Sequence, residues 1–231
     1  MMVTAGFIIG FDSESGAIAG PMGDLIEDAA IPVAMVGLLS ALPNTQLTRR
    51  LTSEGRLFEG HDFHADGKGD QCAQGLNFET VRPRRDVYQD FCDVLKRVYD
   101  PVVYCNRVER LIGQLKWPGQ ELKDLSPGDF RNKRGFETLK RIINHDPASR
   151  ELLSETFKRC YKKNPAAVRQ TVTLLALYLH LVPYAREAIA GLERAIAEID
   201  QGTYVMPQRH AKPAVASGSG NMPLAAALMN G

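Results

Sequence analysis

A chain of 231 residues with 44% hydrophobic and 24% charged side chains has the mixture of a soluble globular protein, with room for one large domain or two small ones. A formal net charge of +1 and only 7% aromatics give neither the basic surface nor the stacking rings that nucleic-acid binding uses, and no bulk attraction to an anionic membrane. The most apolar run, 172–182 (VTLLALYLHLV), is about half the roughly 20 residues of a membrane span and is closed by Pro183, so a buried helix is expected there.

Residues 3–11 (VTAGFIIGF) and 31–39 (IPVAMVGLL) are the two segments with the unbroken apolar character of buried parallel strands. Between them, 12–30 should hold a crossover helix with Ile18, Met22, Leu25 and Ile26 facing the sheet, broken near Pro21 by the surrounding glycines. Pairing stops at Pro43. Asn44 or Thr45 then caps a short helix through Glu54, and Gly55 ends it. Residues 58–76 are polar, aperiodic and rich in glycine, the mark of a long loop.

Helical spacing takes over from Pro83. Val87, Phe91, Leu95 and Val98 form one stripe; Asp100-Pro101 restarts the helix, with Tyr104, Val108, Leu111 and Leu115 as the next. Trp117-Pro118-Gly119 is a break. Ser126-Pro127, Asp146-Pro147 and Asn164-Pro165 each read as a cap followed by proline. They lead into Phe136, Leu139 and Ile143, then Leu153, Phe157 and Tyr161, then Val168, Val172, Leu175, Leu179 and Val182. Pro183 should kink or split the last of these, and Ile189, Leu192, Ile196 and Ile199 carry the stripe to Gly202. Five or six helices with short joints make a bundle over 83–202. From 203 to 231 the composition turns to Gly, Ser, Pro and Ala, so a disordered tail is expected.

Two parallel strands and one crossover helix leave edges and a face uncovered, so more sheet must come from elsewhere. The uncovered apolar face is expected to carry Phe7, Ile9, Val33 and Met35. The four cysteines (Cys72, Cys92, Cys105, Cys160) have no paired spacing and no cluster motif; they are most simply reduced thiols of a cytoplasmic protein, three of them in helix cores. His61, His64, Asp66, Asp70 and Cys72 have workable metal-ligand types, but in a glycine-rich loop solvation is the simpler state, and no metal site is assigned. Arg82, Arg84 and Arg85 are expected as a solvated first helical turn rather than a phosphate site. His180 is expected as a hydrogen-bonded core residue, and Lys158, Arg159, Lys162 and Lys163 as a helix-end complement to the dipole.

The run Gly6 to Glu14 (GFIIGFDSE) resembles the G-x-I-x-G-x-x-x-E segment of radical S-adenosylmethionine enzymes, which lies on the fifth strand of their partial β/α barrel. Pro43-Asn44-Thr45-Gln46-Leu47, with Leu51 and Gly55-Arg56-Leu57, resembles the run after the sixth strand of that barrel. Asn44 stands for the usual glycine and Asp12 for the usual proline. The Gly-Phe-Asp-Ser start, the second strand and Asn77-Phe78 followed by Tyr99-Asp100-Pro101 are similar to the cobalamin-binding subgroup with a helical C-terminal domain, to which hopanoid methylases belong.

The resemblance implies an α/β fragment, two parallel strands of a partial barrel over 1–57, then a connecting loop over 58–82 and an α-helical bundle, mostly α overall. It implies cofactor-binding roles at Ile8, Gly10, Asp12, Glu14, Leu39 and Pro43, as part of an S-adenosylmethionine pocket wall beneath a helical lid, and no catalytic residue. S-adenosylmethionine, a four-iron cluster and cobalamin are implied for an intact methyltransferase-like parent, none bound by this chain alone. The implied partner is a missing N-terminal half or subunit that carries the cluster. The alternative is a non-catalytic helical interaction module that docks on a partner through its two strands.

Overall fold

Strand β1 (Thr4–Ile9) pairs in parallel with β2 (Val33–Leu38), Thr4 opposite Val33 and Ile9 opposite Leu38. The computed structural model describes residues 2–59, 76–116, 137, 140, 144 and 149–209. Among these, six α-helices accompany the two strands, so the chain is mostly α with a small parallel sheet, as expected.

The crossover is helix α1 (Ala19–Asp28). It is continuous: Pro21 lies in its first turn, where no intrahelical N–H is needed, and does not break it. Ile26 is fully buried, whereas Leu25, expected to face the sheet, is 55% exposed, one position off the buried stripe. Gly23 has a packing role, since a Cβ there would lie 2.7 Å from Arg97 Cδ. The guanidinium of Arg97 thereby reaches the Gly20 carbonyl and Asp24. Helix α2 (Gln46–Glu54) has the expected design. The Thr45 hydroxyl accepts the Thr48 N–H at 3.2 Å, Asn44 takes the left-handed conformation, and Gly55 closes the helix.

Helices α3 (Arg84–Val98) and α4 (Pro101–Gln114) bury the predicted stripes except Leu115, which is half-buried, and Asp100 caps α4 by accepting the Val102 and Val103 N–H groups. Helix α5 (Arg150–Lys163) buries Leu153, but Tyr161 is 53% exposed. Asn164 does not cap the helix after it; its side-chain amide instead donates to the Ile112 and Leu115 carbonyls at the end of α4. After a single 3-10 turn (Pro165–Ala167), α6 (Val168–Asp200) runs 33 residues without a split. Pro183 sits on its exposed side. His180 is exposed too, on the outer side of that helix, and is not a core residue. The expected helix with Phe136, Leu139 and Ile143, and the breaks at 117–119, 126–127 and 146–147, lie outside the described residues.

Two apolar cores result. The first joins Ile9, Val36 and Leu38 of the sheet, Ile26, Leu51 and Phe78 to Val87, Phe91 and Leu95 of α3 and to Ala188, Leu192 and Ile196 of α6. The second gathers Tyr104, Val108 and Ile112 of α4, Leu153 and Cys160 of α5 and Leu174, Leu175 and Tyr178 of α6, with Val33 at its margin. Each fully buried large apolar side chain contributes about 1.5–3 kcal/mol. The first core crosses the expected boundary between the sheet segment and the helical bundle.

The sheet has one covered and one open face. Phe7 and Ile9 share a side with Val36 and Leu38, and α1 and α3 take that side. The open face carries Gly6, Ile8 (50% exposed), Met35 (59% exposed) and Gly37. Of the four residues expected to be uncovered only Met35 is; Ile9 and Val33 are buried and Phe7 is half-buried. For Phe7 and Ile9 the register decides this, since they pair with Val36 and Leu38 on the side that α1 and α3 cover; Val33 lies on the side of Met35 and is buried instead at the margin of the second core.

Beyond α6, residues 208–209 of the segment expected to be disordered run beside 57–59. The Glu59 N–H donates to the Gln208 carbonyl at 2.8 Å, Phe58 bridges Arg209 antiparallel, and Arg209 pairs with Glu79. Leu57 bridges Phe78 on the other side, so 208–209, 57–59 and 77–79 lie side by side. Residues 210–231 lie outside the described residues.

Candidate functional site

The carboxyl ends of β1 and β2 lead into the two segments singled out in the sequence. At Gly10 the backbone turns with φ of 115°, a conformation that L side chains rarely adopt, and a Cβ there would stand 2.7 Å from Leu76 Cδ2 and 3.5 Å from Leu39 Cβ. The backbone ladder continues past the strands: the Leu39 N–H donates to the Ile9 carbonyl at 2.8 Å, and the Leu76 N–H to the Leu39 carbonyl at 2.7 Å. Gly10 is therefore packed from one side by Leu39 and Leu76.

The turn after Gly10 is held by its own carboxylate. Glu14 Oε1 accepts the Gly10 N–H at 2.8 Å and the Phe11 N–H at 3.0 Å. Its other oxygen accepts from Arg82 at 3.2 Å, and Arg82 donates in turn to Asp90 of α3 at 2.6 Å. Asp90 also accepts the Ile18 and Ala19 N–H groups, so α1, which lacks a capping side chain of its own, is capped from α3. Burial works against the charge on Arg82, but its hydrogen bond to Asp90 and the charges of Asp90 and Glu14 outweigh it, so its pKa is raised.

Asp12 points the other way along the turn. Arg56 grips it with two bonds, at 2.7 and 2.9 Å, and Arg50 adds a third at 2.8 Å. Arg56 also donates to the Glu79 carbonyl and Glu54. The hydrogen bond from Arg56, opposed by burial and reinforced by the charges of Arg56 and Arg50, holds the Asp12 carboxyl below its usual value. Beneath lies Asn77, 4% exposed, whose amide accepts the Ala41 N–H at 2.8 Å and donates to the Ala41 carbonyl at 3.0 Å.

Of the six residues named in advance, Gly10, Asp12 and Glu14 share one turn. Leu39 packs beside Gly10, Ile8 stands on the open face next to it, and Pro43 is exposed between β2 and α2. Sequence reasoning missed Asp90, and named Arg56, Arg82 and Asn77 without their roles. Of Arg82, Arg84 and Arg85, only Arg85 is solvated as expected, 42% exposed. Arg82 is paired as above, Arg84 lies over the Phe58 and Tyr88 rings and donates to the Leu76 and Phe78 carbonyls, and Arg85 pairs with Asp200. Their sequence signal was only the charge run.

Both carboxylates of the turn are matched by arginine, so the arrangement suits binding rather than proton transfer. A Cβ at Gly6 would meet nothing within 4 Å, so the strip beside Ile8 is open and apolar. An iron–sulfur cluster does not fit the described cysteines. Cys92 lies in the first core and Cys105 and Cys160 in the second, and burial raises the pKa of all three, to about 11 for Cys92 and Cys160. Among the described residues no group of three or more His, Cys, Asp or Glu could hold a metal ion, and no helix is long and apolar enough to cross a membrane. The loop histidines, with Asp66, Asp70 and Cys72, lie outside the described residues.

Residues 45–194, nearly two thirds of the chain, match a family described as a domain of unknown function, DUF4070. An uncharacterized methyltransferase of Synechocystis is 29% identical over 183 residues, covering 78% of this chain and 32% of the relative. The hopanoid C-2 methylase of Rhodopseudomonas palustris is 27% identical over 196 residues, covering 82% of this chain and 34% of the relative. The chain thus spans about a third of the length of these curated relatives. No solved structure matches it. Both names agree with the methyltransferase-like kinship that the two sequence segments imply.

Proposed function

Because the chain belongs to the DUF4070 family, which is found in B12-binding radical S-adenosylmethionine proteins, we propose that it acts as the C-terminal part of such a protein. In this proposal β1 and β2 complete a barrel whose other strands belong to the cluster-bearing segment. Ile8, Gly10 and Leu39 form part of the S-adenosylmethionine wall, Asp12 and Glu14 shape the turn, Pro43 flanks it, and the helices cover the substrate side. Bound S-adenosylmethionine, with the four-iron cluster and cobalamin held elsewhere in the assembly, supplies the radical and methyl-transfer chemistry. This chain's own residues bind and orient. The open strip that runs from Gly6 through Ile8 and Gly37 to the carboxyl end of a parallel pair carries the proposal, since ligands of α/β folds sit at that end.

The exposure of Ile8 and Met35 also favours the second proposal, a non-catalytic helical module docking through the same face. One experiment separates them. The chain is purified anaerobically from its native source together with whatever co-purifies, and hydrogen exchange is followed with and without S-adenosylmethionine. Slower exchange over 6–11 on adding the ligand, lost in Ile8→Asp at unchanged thermal midpoint, supports the pocket wall. Protection of 6–11 by a co-purifying protein alone, indifferent to the ligand, supports the docking module and ends the first proposal.

A further inference from the structure

We propose that Arg82 is a positioning residue through which helix α3 holds the Gly10–Glu14 turn in shape; the functional consequence rests on that turn being part of the pocket wall. Three nearly buried charged side chains form a line. Arg82, with a side chain 12% exposed, donates to both Asp90, 6% exposed, and Glu14, 12% exposed. Glu14 then closes on the Gly10 and Phe11 N–H groups. Asp90 meanwhile accepts the Ile18 and Ala19 N–H groups where α1 begins. One carboxylate of α3 therefore fixes both ends of the connection between β1 and α1, the far end directly and the near end through Arg82.

Arginine suits the middle position best. Its two Nη atoms serve two different carboxylates, at 3.2 and 2.6 Å, a spread that a single ammonium matches only in part. Without a cation, Glu14 and Asp90 would face one another with their charges uncompensated at low exposure. Each carboxylate keeps two backbone N–H donors. Glu14, with the more exposed side chain, is the one that relieves the repulsion by swinging to water, releasing Gly10 and Phe11. Arg82 stands two residues ahead of α3, so its replacement does not touch helix propensity. Asp12 is held separately by Arg56 and Arg50, leaving Arg82 as the link from α3 to the turn's carboxylates.

Hydrogen exchange on the intact 231-residue chain reads this directly. Arg82→Gln should speed exchange of the Gly10 and Phe11 amides about tenfold or more, with amides of α4 and α5 unchanged. Arg82→Lys should restore part of that protection, and Arg85→Ala, at the exposed pair with Asp200, should change neither amide. A purely structural role would loosen Ile18 and Ala19 and leave Gly10 and Phe11 as they were; that result overturns the proposal. Should Arg82→Gln fail to fold, Glu14→Gln keeps the acceptor oxygen and removes the ion pair. Faster exchange at Gly10 and Phe11 with Ile18 and Ala19 still protected supports the inference, and unchanged exchange at all four overturns it. Adding S-adenosylmethionine to the co-purified wild-type assembly separates the two claims. If the ligand leaves 6–11 unaffected while Arg82→Gln still loosens the turn, the pocket wall is lost and the positioning role stands. If the ligand protects wild type and Arg82→Gln equally, the positioning role is lost.

Discussion

Replacing Asn77 by alanine tests how the segment after 76 is fastened to the end of β2. The Asn77 amide satisfies both the N–H and the carbonyl of Ala41, at 2.8 and 3.0 Å, in a place where Asn77 and Ala41 are each 4% exposed. Alanine leaves a buried donor and a buried acceptor without partners, and each costs about 1–3 kcal/mol. A loss of about 3 kcal/mol is expected, or about 6–12 °C in thermal midpoint for a chain of this size. Asn77→Asp is informative beside it. Its carboxylate can accept from the Ala41 N–H but opposes the Ala41 carbonyl, so its defect should shrink as the pH falls and the carboxyl regains a proton to donate. Urea unfolding followed by circular dichroism measures both. An Asn77→Ala chain within about 0.5 kcal/mol of wild type, with the same dependence on urea, would show that water or local movement replaces the clasp and would refute the reasoning.

Three further outcomes are expected. Asp12 has a depressed pKa, so the stability it adds is complete above its usual value of 3.8 and is lost as the pH falls through the lower folded value. Asp12→Asn should therefore lower the thermal midpoint by about 2–4 °C at pH 7, with the difference shrinking as the pH falls below about 3.8 and gone once it passes the lower folded value; a difference that persists in stronger acid would mean the side chain acts through packing. Gly10→Ala should cost about 2–4 kcal/mol in urea unfolding, from the positive φ and the contact with Leu76, and a near-neutral effect would mean that the turn and Leu76 give way freely. Cys92, Cys105 and Cys160 should resist iodoacetamide at pH 8 in the native chain and react in urea, because burial raises their pKa values; peptide mapping that finds them modified in the native state would contradict the packing.

Local chemistry was legible in the sequence and long-range pairing was not. The unbroken apolar runs at 3–11 and 31–39, the Thr45 cap, the Gly55 stop and Asp100-Pro101 each act within a few residues, and each stands where its chemistry predicts. The turn carrying Gly10, Asp12 and Glu14 was found through a motif, and the structure gives those residues a shared geometry. The pairing of Arg82 with Glu14 and of Asp90 with Ile18 was not legible because these partners lie 68 and 72 residues apart. No pattern in a charge run says which arginine will be buried. Asn164 looked like a cap for the helix after it and serves an earlier one, α4, because its side chain reached two open carbonyls first. Tyr161 and His180 fell outside the cores because a helix offers only part of its circumference to its neighbours, and the stripe alone does not say which part.

Helix α6, about 50 Å long at 1.5 Å per residue, touches the second core with its first half and the first core with its last. It works as a splint laid across a fracture line. Cutting the chain near residue 83 to isolate the helices would strip Phe91, Leu95 and Leu192 of the sheet-side groups they pack against. The excised piece should expose a greasy flank and lose its sharp melting, contrary to what a separate bundle would do. The same splint passes strain from one end to the other: a defect at Leu174 or Tyr178 should be felt as altered protection at Ile26 and Ile9, in the part of the chain that the family resemblance ties to the cofactor.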